Sequence, residues 1–174
     1  MKHYDFAQQF RALYDQAVAR YAAGQRGAAN FFSADELAFL AANGATAQHL
    51  YDYAEDRNNY GEPGPDSALS IELVRRDYFL NVQHGCPSTI VLDATKLPAK
   101  TDALRGFTWL PRLLPKARAK LRGELPASLM YGCGGDRAFF AQHNIQPGEF
   151  LHLLWRLAGD NVAIADWVAR RSKS

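Results

Sequence analysis

Apolar residues recur at steps of three and four along most of the chain, a spacing that is typical of amphipathic helices. The clearest example covers residues 4–23, where the repeat consists of Phe6, Phe10, Leu13, Ala17 and Tyr21. Further helices are predicted over residues 34–42, 46–57, 67–84 and 136–143, and from Pro111, Pro147 and Asn161 onward. The pattern therefore predicts an all-α fold, a compact bundle of about seven or eight helices with no substantial sheet.

Polar residues at the predicted helix starts support this assignment. Ser33 and Glu36 have the spacing of a capping box, in which each side chain accepts a hydrogen bond from a free backbone N–H. Thr46, Asp66 and Asn161 are the predicted caps of three later helices.

The chain is long enough for one good hydrophobic core, and a single compact domain over residues 1–174 is expected. Residues 86–105 are the least regular part and join a helical half, 1–85, to a second half, 106–170. Residues 88–92 have the composition of a short strand but no evident pairing partner, so an extended loop is predicted there.

Composition excludes several classes of protein. The chain is 48% hydrophobic and 22% charged, and no apolar run approaches the roughly 18–20 residues of a membrane span. The N-terminus has no apolar signal region, so we expect a soluble cytoplasmic protein without a membrane partner. Its two cysteines, Cys86 and Cys133, are then expected to be reduced.

Charge is distributed unevenly. Residues 1–66 carry 5 Lys/Arg and 9 Asp/Glu (5 − 9 = −4), whereas residues 67–174 carry 15 and 9 (15 − 9 = +6). This asymmetry indicates either an anionic ligand for the second part or attraction between the two parts.

The most basic segment is the predicted helix over residues 112–122. Arg112, Lys116 and Lys120 recur at steps of four, and Arg118 and Arg122 form a second row. Such a face suits a phosphate, an acidic partner or a second copy of the chain, which leaves a homo-oligomer open. Because no aromatic residues alternate with these cations, a nucleic-acid partner is disfavoured. A solvated or internally paired face is the plainer alternative.

The turn over residues 131–137 concentrates candidate chemistry. Cys133 lies among glycines just before a predicted helix, where the helix dipole favours an anion. Asp136 and Arg137 follow within one turn, so nucleophilic or acid–base chemistry is one interpretation. In the other, the glycines form a tight turn, Cys133 fills an apolar hole, Asp136 caps the helix and Arg137 pairs with an acid.

Asp77 is a second candidate. One turn away from it lie Leu73, Val74, Leu80 and Asn81, so its carboxylate is expected to face the apolar side of its helix. It would then either tie helices together or act in a site. The predicted catalytic residues are Cys133, Asp77 and Asp136. The predicted substrate-binding residues are Arg112, Arg137, Tyr131, Trp109, Tyr78 and Arg76.

Two metal sites are alternatives to these candidates. His84, Cys86, Cys133 and His143 supply the nitrogen and sulfur ligands that zinc prefers, but their spacing matches no zinc module. The acidic residues Asp52, Glu55 and Asp56 suit either a divalent cation or a solvated helix face. The sequence predicts no metal as its first choice, and whether the protein uses a cofactor stays open.

Two groups of motifs carry a resemblance. Residues 106–125, with Trp-Leu-Pro-Arg and Lys-Ala-Arg-Ala-Lys-Leu, are followed by Tyr131-Gly132-Cys133 and Asp136-Arg137, and together they resemble an uncharacterised bacterial domain family of unknown function. Residues 51–56 and 75–80 resemble the N-terminal extension of one branch of it, so the resemblance spans about 46–170. It implies that these segments form one unit, and it implies no activity.

The leading hypothesis is therefore a bacterial protein with a small-molecule site, suited to an anionic ligand, around Asp77, Arg112 and Cys133. That site would serve binding or catalysis. Two alternatives stay open: a non-catalytic interaction module that uses the basic helix 112–122, and a His/Cys metal-binding protein.

Overall fold

The computed structural model describes residues 3–173, and over this range the chain is mostly helical, which confirms the predicted fold class. The helices described are α1 (His3–Ala22), α2 (Ala34–Ala42), α3 (Ala47–Tyr60), α4 (Pro65–Asn81), α5 (Leu110–Arg122), α6 (Gly134–Gln142), α7 (Pro147–Leu157) and α8 (Asn161–Arg171). Short 3₁₀ helices cover Ala28–Asn30 and Ala94–Lys96, and β1 (Ala103–Leu104) pairs with β2 (Phe107–Thr108) as an antiparallel hairpin. The chain divides into two compact units between Pro87 and Ser88.

In the first unit, α1 packs against α3 and α4. The predicted apolar face of α1 is buried in full, with Ala17 completely inaccessible to solvent. The prediction succeeds because a helix with one apolar stripe can remove that stripe from water only by turning it toward its neighbours.

Two of the predicted helix caps form as expected. The Ser33 side chain accepts a hydrogen bond from the Glu36 N–H, and the Glu36 carboxylate accepts one from the Ser33 N–H. The Thr46 hydroxyl accepts one from the His49 N–H at 3.2 Å. Both caps satisfy N–H groups that have no partner within their own helix.

Two other caps were predicted wrongly by one or two residues. Gly64 precedes α4, so Asp66 lies inside the first turn, where its carboxylate pairs with Arg11. Pro65 starts that helix because its missing N–H would have been unpaired there anyway. At α8 the cap is Asp160, whose carboxylate accepts from the next free N–H groups at 3.1 and 2.9 Å, and Asn161 is the first helical residue.

In the second unit, α5 packs against α7, and α7 packs against α8. The predicted stripe of α5 is buried, as are the inward faces of α6, α7 and α8; the side chains are Leu110, Leu113, Leu114, Ala117, Leu121, Phe139, Phe140, Phe150, Leu151, Leu154, Ile164 and Val168. The α5 helix begins at Leu110, one residue before the predicted start, and it runs through Pro115. Pro115 lacks an N–H, and the helix therefore continues with one backbone hydrogen bond fewer.

Residues 88–92 form no strand within the described part of the chain, as predicted. The Leu92 N–H instead donates to the Glu124 carbonyl oxygen at 2.8 Å, and the Ser88 hydroxyl donates to the Glu124 carboxylate at 3.0 Å. This extended segment leads through the short hairpin to α5.

Candidate functional site

The turn over residues 131–137 connects the end of the α5 region to α6. Cys133 immediately precedes α6 in an extended backbone conformation, and the helix begins at Gly134. The helix therefore starts two residues earlier than predicted, which places Asp136 in its first turn and not at the cap. At that position a carboxylate is favoured by the positive end of the helix dipole.

The Asp136 carboxylate is the centre of a buried hydrogen-bond network and has no exposed surface. Its Oδ1 accepts a hydrogen bond from the Trp109 indole N–H at 2.9 Å. Its Oδ2 accepts from Lys116 Nζ at 2.7 Å and from the Gly132 N–H at 2.9 Å. A buried carboxylate is tolerable only with such partners, and here they come from α5, from the turn and from the residue before α5.

Lys116 is the counter-charge of this network, and its side chain is 3% exposed. Its Nζ also lies 3.2 Å from Cys133 Sγ, so one ammonium group contacts both the carboxylate and the thiol. Lys120 on the same helix is 1% exposed. Because both lysines are buried, they do not join Arg112 in a surface for docking, and for Lys116 the alternative of an internally paired face holds.

Trp109 and Gly135 explain how the network is held in place. Trp109 adopts a left-handed backbone conformation, φ 76°, which bulky residues rarely do, and it turns the chain from the hairpin into α5. Its indole ring lies directly on α6, since a Cβ added at Gly135 would come within 2.3 Å of the ring. A glycine at this position thus permits the indole to reach Asp136.

Two side chains that were predicted to bind a ligand form hydrogen bonds within the protein instead. The Tyr131 hydroxyl donates to the Pro147 carbonyl oxygen at 2.7 Å, and burial, together with the charge of Asp136, raises the pKa of Tyr131 well above its usual value. Arg137 Nη1 donates to the Gly132 carbonyl oxygen at 2.7 Å. Tyr131 is 1% exposed, so its predicted role as a hydrogen-bond donor to a ligand is wrong.

Arg112 lies one turn before Lys116 on α5 and is half-buried. Its Nη1 donates to the Pro98 carbonyl oxygen at 2.8 Å.

The remaining predicted site residues belong to the first unit. Asp77 is exposed and accepts a hydrogen bond from Asn81 Nδ2 at 2.5 Å, so its predicted orientation toward the apolar side is wrong. Arg76, by contrast, is buried over the Phe6 ring, and its Nε donates to Asn43 Oδ1 at 2.6 Å. Desolvation lowers the pKa of Arg76, an effect that the charge of Asp77 partly offsets. Tyr78 is half-buried on the same helix.

The proposed metal ligands find other neighbours. Among residues 3–173 no group of three or more His, Cys, Asp or Glu side chains is placed to hold a metal ion. The His143 ring packs against Phe107 and Phe139, and its Nδ1 lies 2.9 Å from the Ser172 hydroxyl. Both cysteines are free thiols.

Acidic side chains of α3 also accept hydrogen bonds from other side chains of the protein. Asp52 accepts a hydrogen bond from Gln48, and Glu55 accepts one from Tyr21.

The hydrogen-bond network around Asp136, together with Cys133, lies within the part of the chain that matches a known protein family. Residues 95–174 match DUF5069, a domain of unknown function. This confirms the predicted resemblance to an uncharacterised family over residues 95–174, while the first unit lies outside the matched range. The matched range contains Trp109, Lys116, Cys133 and Asp136, so every side chain of the network lies within it. No curated protein and no solved structure was found to be similar to the chain.

No helix among residues 3–173 combines the length and the hydrophobicity that crossing a bilayer requires.

Sequence reasoning selected Cys133, Asp136 and Trp109 but missed Lys116 as their partner. A signal for it was present. Lys116 and Lys120 follow Leu113 by three and seven positions, which is the spacing of the apolar stripe itself. A lysine inside such a stripe indicates a buried, paired ammonium group, because an unpaired one would be too costly to desolvate.

Proposed function

We propose that the DUF5069 domain of this chain carries a small-molecule site whose reactive group is the Cys133 thiol. The observation that supports it is the 3.2 Å contact between Cys133 Sγ and Lys116 Nζ, next to the first turn of α6. An ammonium group and a helix N-terminus are the surroundings in which thiols ionise and become nucleophiles.

Burial supports Cys133 as the reacting residue. Lys116, Asp136 and Tyr131 are all buried, whereas Cys133 is partly exposed and Gly134, which follows it, is exposed. We therefore propose that a small molecule approaches the sulfur atom of Cys133, while the Asp136 carboxylate and the Lys116 ammonium group stay buried. Lys116 is the positioning residue for the thiol, and the Asp136 carboxylate holds Lys116 through their ion pair.

We propose an anionic electrophile, because α5 carries a further positive charge at Arg112. Arg112 lies one turn before Lys116 on the same face of α5, and we propose that it holds the ligand's negative group. Asp77 has no place in this proposal, because it is exposed in the first unit. We further propose that the protein works in the bacterial cytoplasm, where such a thiol remains reduced.

Alkylation of the full-length protein tests the proposal, with the exposed Cys86 as an internal reference. An ordinary thiol is only a few per cent ionised at pH 7. Because Cys133 Sγ contacts the Lys116 ammonium group, we expect Cys133 to react roughly tenfold faster with iodoacetamide than Cys86 does, although Cys133 is less exposed. The Cys86→Ser and Cys133→Ser variants assign each rate to one residue by mass spectrometry.

A second reagent separates charge from exposure. Iodoacetate carries a negative charge that iodoacetamide lacks. The rate with iodoacetate divided by the rate with iodoacetamide should therefore be higher at Cys133 than at Cys86. Equal ratios, together with a Cys133 that reacts no faster than Cys86, would show that the thiol is an inert part of the turn.

A further inference from the structure

A cleft of about 670 Å³ lies between three elements of the second unit. One wall is the segment from the 3₁₀ helix Ala94–Lys96 to β1, the second is α5, and the third is the first residue of α8. The apolar part of the lining consists of Pro98, Ala103, Leu104, Pro111, Leu114 and Pro115. None of Cys133, Lys116 and Asp136 lines this cleft, so it is distinct from the thiol site.

Arg118 contributes an unneutralised positive charge to the cleft. It is half-buried, and its Nη2 donates to Asn161 Oδ1 at 2.5 Å. Among the described residues, this is its one hydrogen bond, and no carboxylate pairs with it. Because Asn161 is neutral, the guanidinium charge is uncompensated, and the Nε and Nη1 groups remain available as donors.

The surroundings of Arg118 favour the binding of an anion. Desolvation lowers the pKa of Arg118, and the nearby positive charge of Arg122 lowers it further. A guanidinium in such a position gains more from an anionic ligand than a fully solvated one does, because part of its hydration has already been lost.

The remaining charged groups of the lining favour a ligand with one negative charge. Lys96 lines the cleft, and its Nζ lies 3.5 Å from Asp93 Oδ2. The lining contains one carboxylate, that of Asp102. The formal charges of Arg118, Lys96 and Asp102 sum to +1 (1 + 1 − 1 = +1). The Asp102 carboxylate is also used within its own loop, where it accepts from the Ala99 N–H at 2.9 Å.

The walls are held in place by contacts outside the cavity. Arg112 fixes the Pro98 carbonyl oxygen at 2.8 Å, and Arg105 at the hairpin pairs with Asp166 on α8 at 3.0 Å. A preformed cleft with an apolar lining and a few placed polar groups has the character of a small-molecule site.

We propose that this cleft binds a small organic monoanion, with its acidic head on Arg118 and its apolar body against the prolines and leucines. The site is independent of the thiol chemistry at Cys133, and neither proposal depends on the other.

Two matched fluorescent probes test the proposal on the full-length protein. The first, 8-anilinonaphthalene-1-sulfonate, has an apolar body and one anionic head. The second, N-phenyl-1-naphthylamine, has almost the same body without the charge. The sulfonate should bind with one-to-one stoichiometry and at least tenfold more tightly than the neutral probe. Equal affinity for the two probes would overturn the proposal, because the anionic head would then not be recognised.

Charge variants locate the binding. Arg118→Gln should weaken sulfonate binding at least tenfold and leave the neutral probe unchanged, whereas Asp102→Asn should strengthen sulfonate binding. Arg156→Gln removes the same charge from an exposed position outside the cleft and should have no effect. If Arg118→Gln and Arg156→Gln behave alike, or if Asp102→Asn fails to strengthen binding, the anion does not bind in this cleft.

Discussion

The buried ion pair between Lys116 and Asp136 allows the sharpest prediction about stability. The two side chains are 3% and 0% exposed, and their charged atoms lie 2.7 Å apart. Removing one member leaves an uncompensated charge in the interior, which costs about 3–5 kcal/mol. We therefore expect Asp136→Ala, which also leaves the Trp109 and Gly132 donors unpaired, to destabilise the second unit by about that amount.

Urea denaturation followed by tryptophan fluorescence measures this effect selectively. The three tryptophans of the chain, Trp109, Trp155 and Trp167, all lie in the second unit. Asp166→Ala is the matched control, since it removes an acid from the ion pair with Arg105, whose side chains are 44% and 53% exposed. An exposed pair of this kind contributes at most about 1 kcal/mol.

A double-mutant cycle completes this prediction. Lys116→Met alone should also destabilise strongly, because it leaves the Asp136 carboxylate without its counter-charge. Lys116→Met combined with Asp136→Ala should cost clearly less than the sum of the two single changes, since neither charge is then left alone. If Asp136→Ala costs no more than the surface control, or if the two single changes simply add, the network does not hold the turn as described.

Two further predictions concern packing and pH. Gly135→Ala should destabilise the second unit by about 1–3 kcal/mol in the same fluorescence assay, because its Cβ would overlap the Trp109 ring. Gly134→Ala, whose Cβ meets nothing closer than 3.9 Å, is the control and should be nearly neutral. In the first unit, the hydrogen bond from Arg20 lowers the pKa of Glu36 to about 2 from its ordinary value of 4.5. Stability from Glu36 should therefore be present above about pH 4.5 and lost as the pH falls toward 2, and Glu36→Gln should remove that dependence in acid titrations followed by circular dichroism. An unchanged acid transition in Glu36→Gln would refute this assignment.

The candidate site was only partly predictable from sequence. Cys133, Asp136 and Arg137 are neighbours in the chain, so their proximity followed from their spacing alone. Trp109 was chosen for its aromatic ring and proved to be a partner of Asp136. Asp77 was misjudged because its helical neighbours Leu73 and Val74 were assumed to be buried, whereas Leu73 is itself 43% exposed.

The sequence by itself determined the helices, most of their inward faces and two of their caps. These features depend on interactions within about four residues, and that range can be read directly from the order of the side chains. The tertiary structure alone decided that Lys116 is a buried counter-ion and not part of a docking surface. Its partners Asp136 and Cys133 lie 20 and 17 positions away. Whether a lysine is exposed or buried depends on which elements pack over its helix, and no local pattern specifies that.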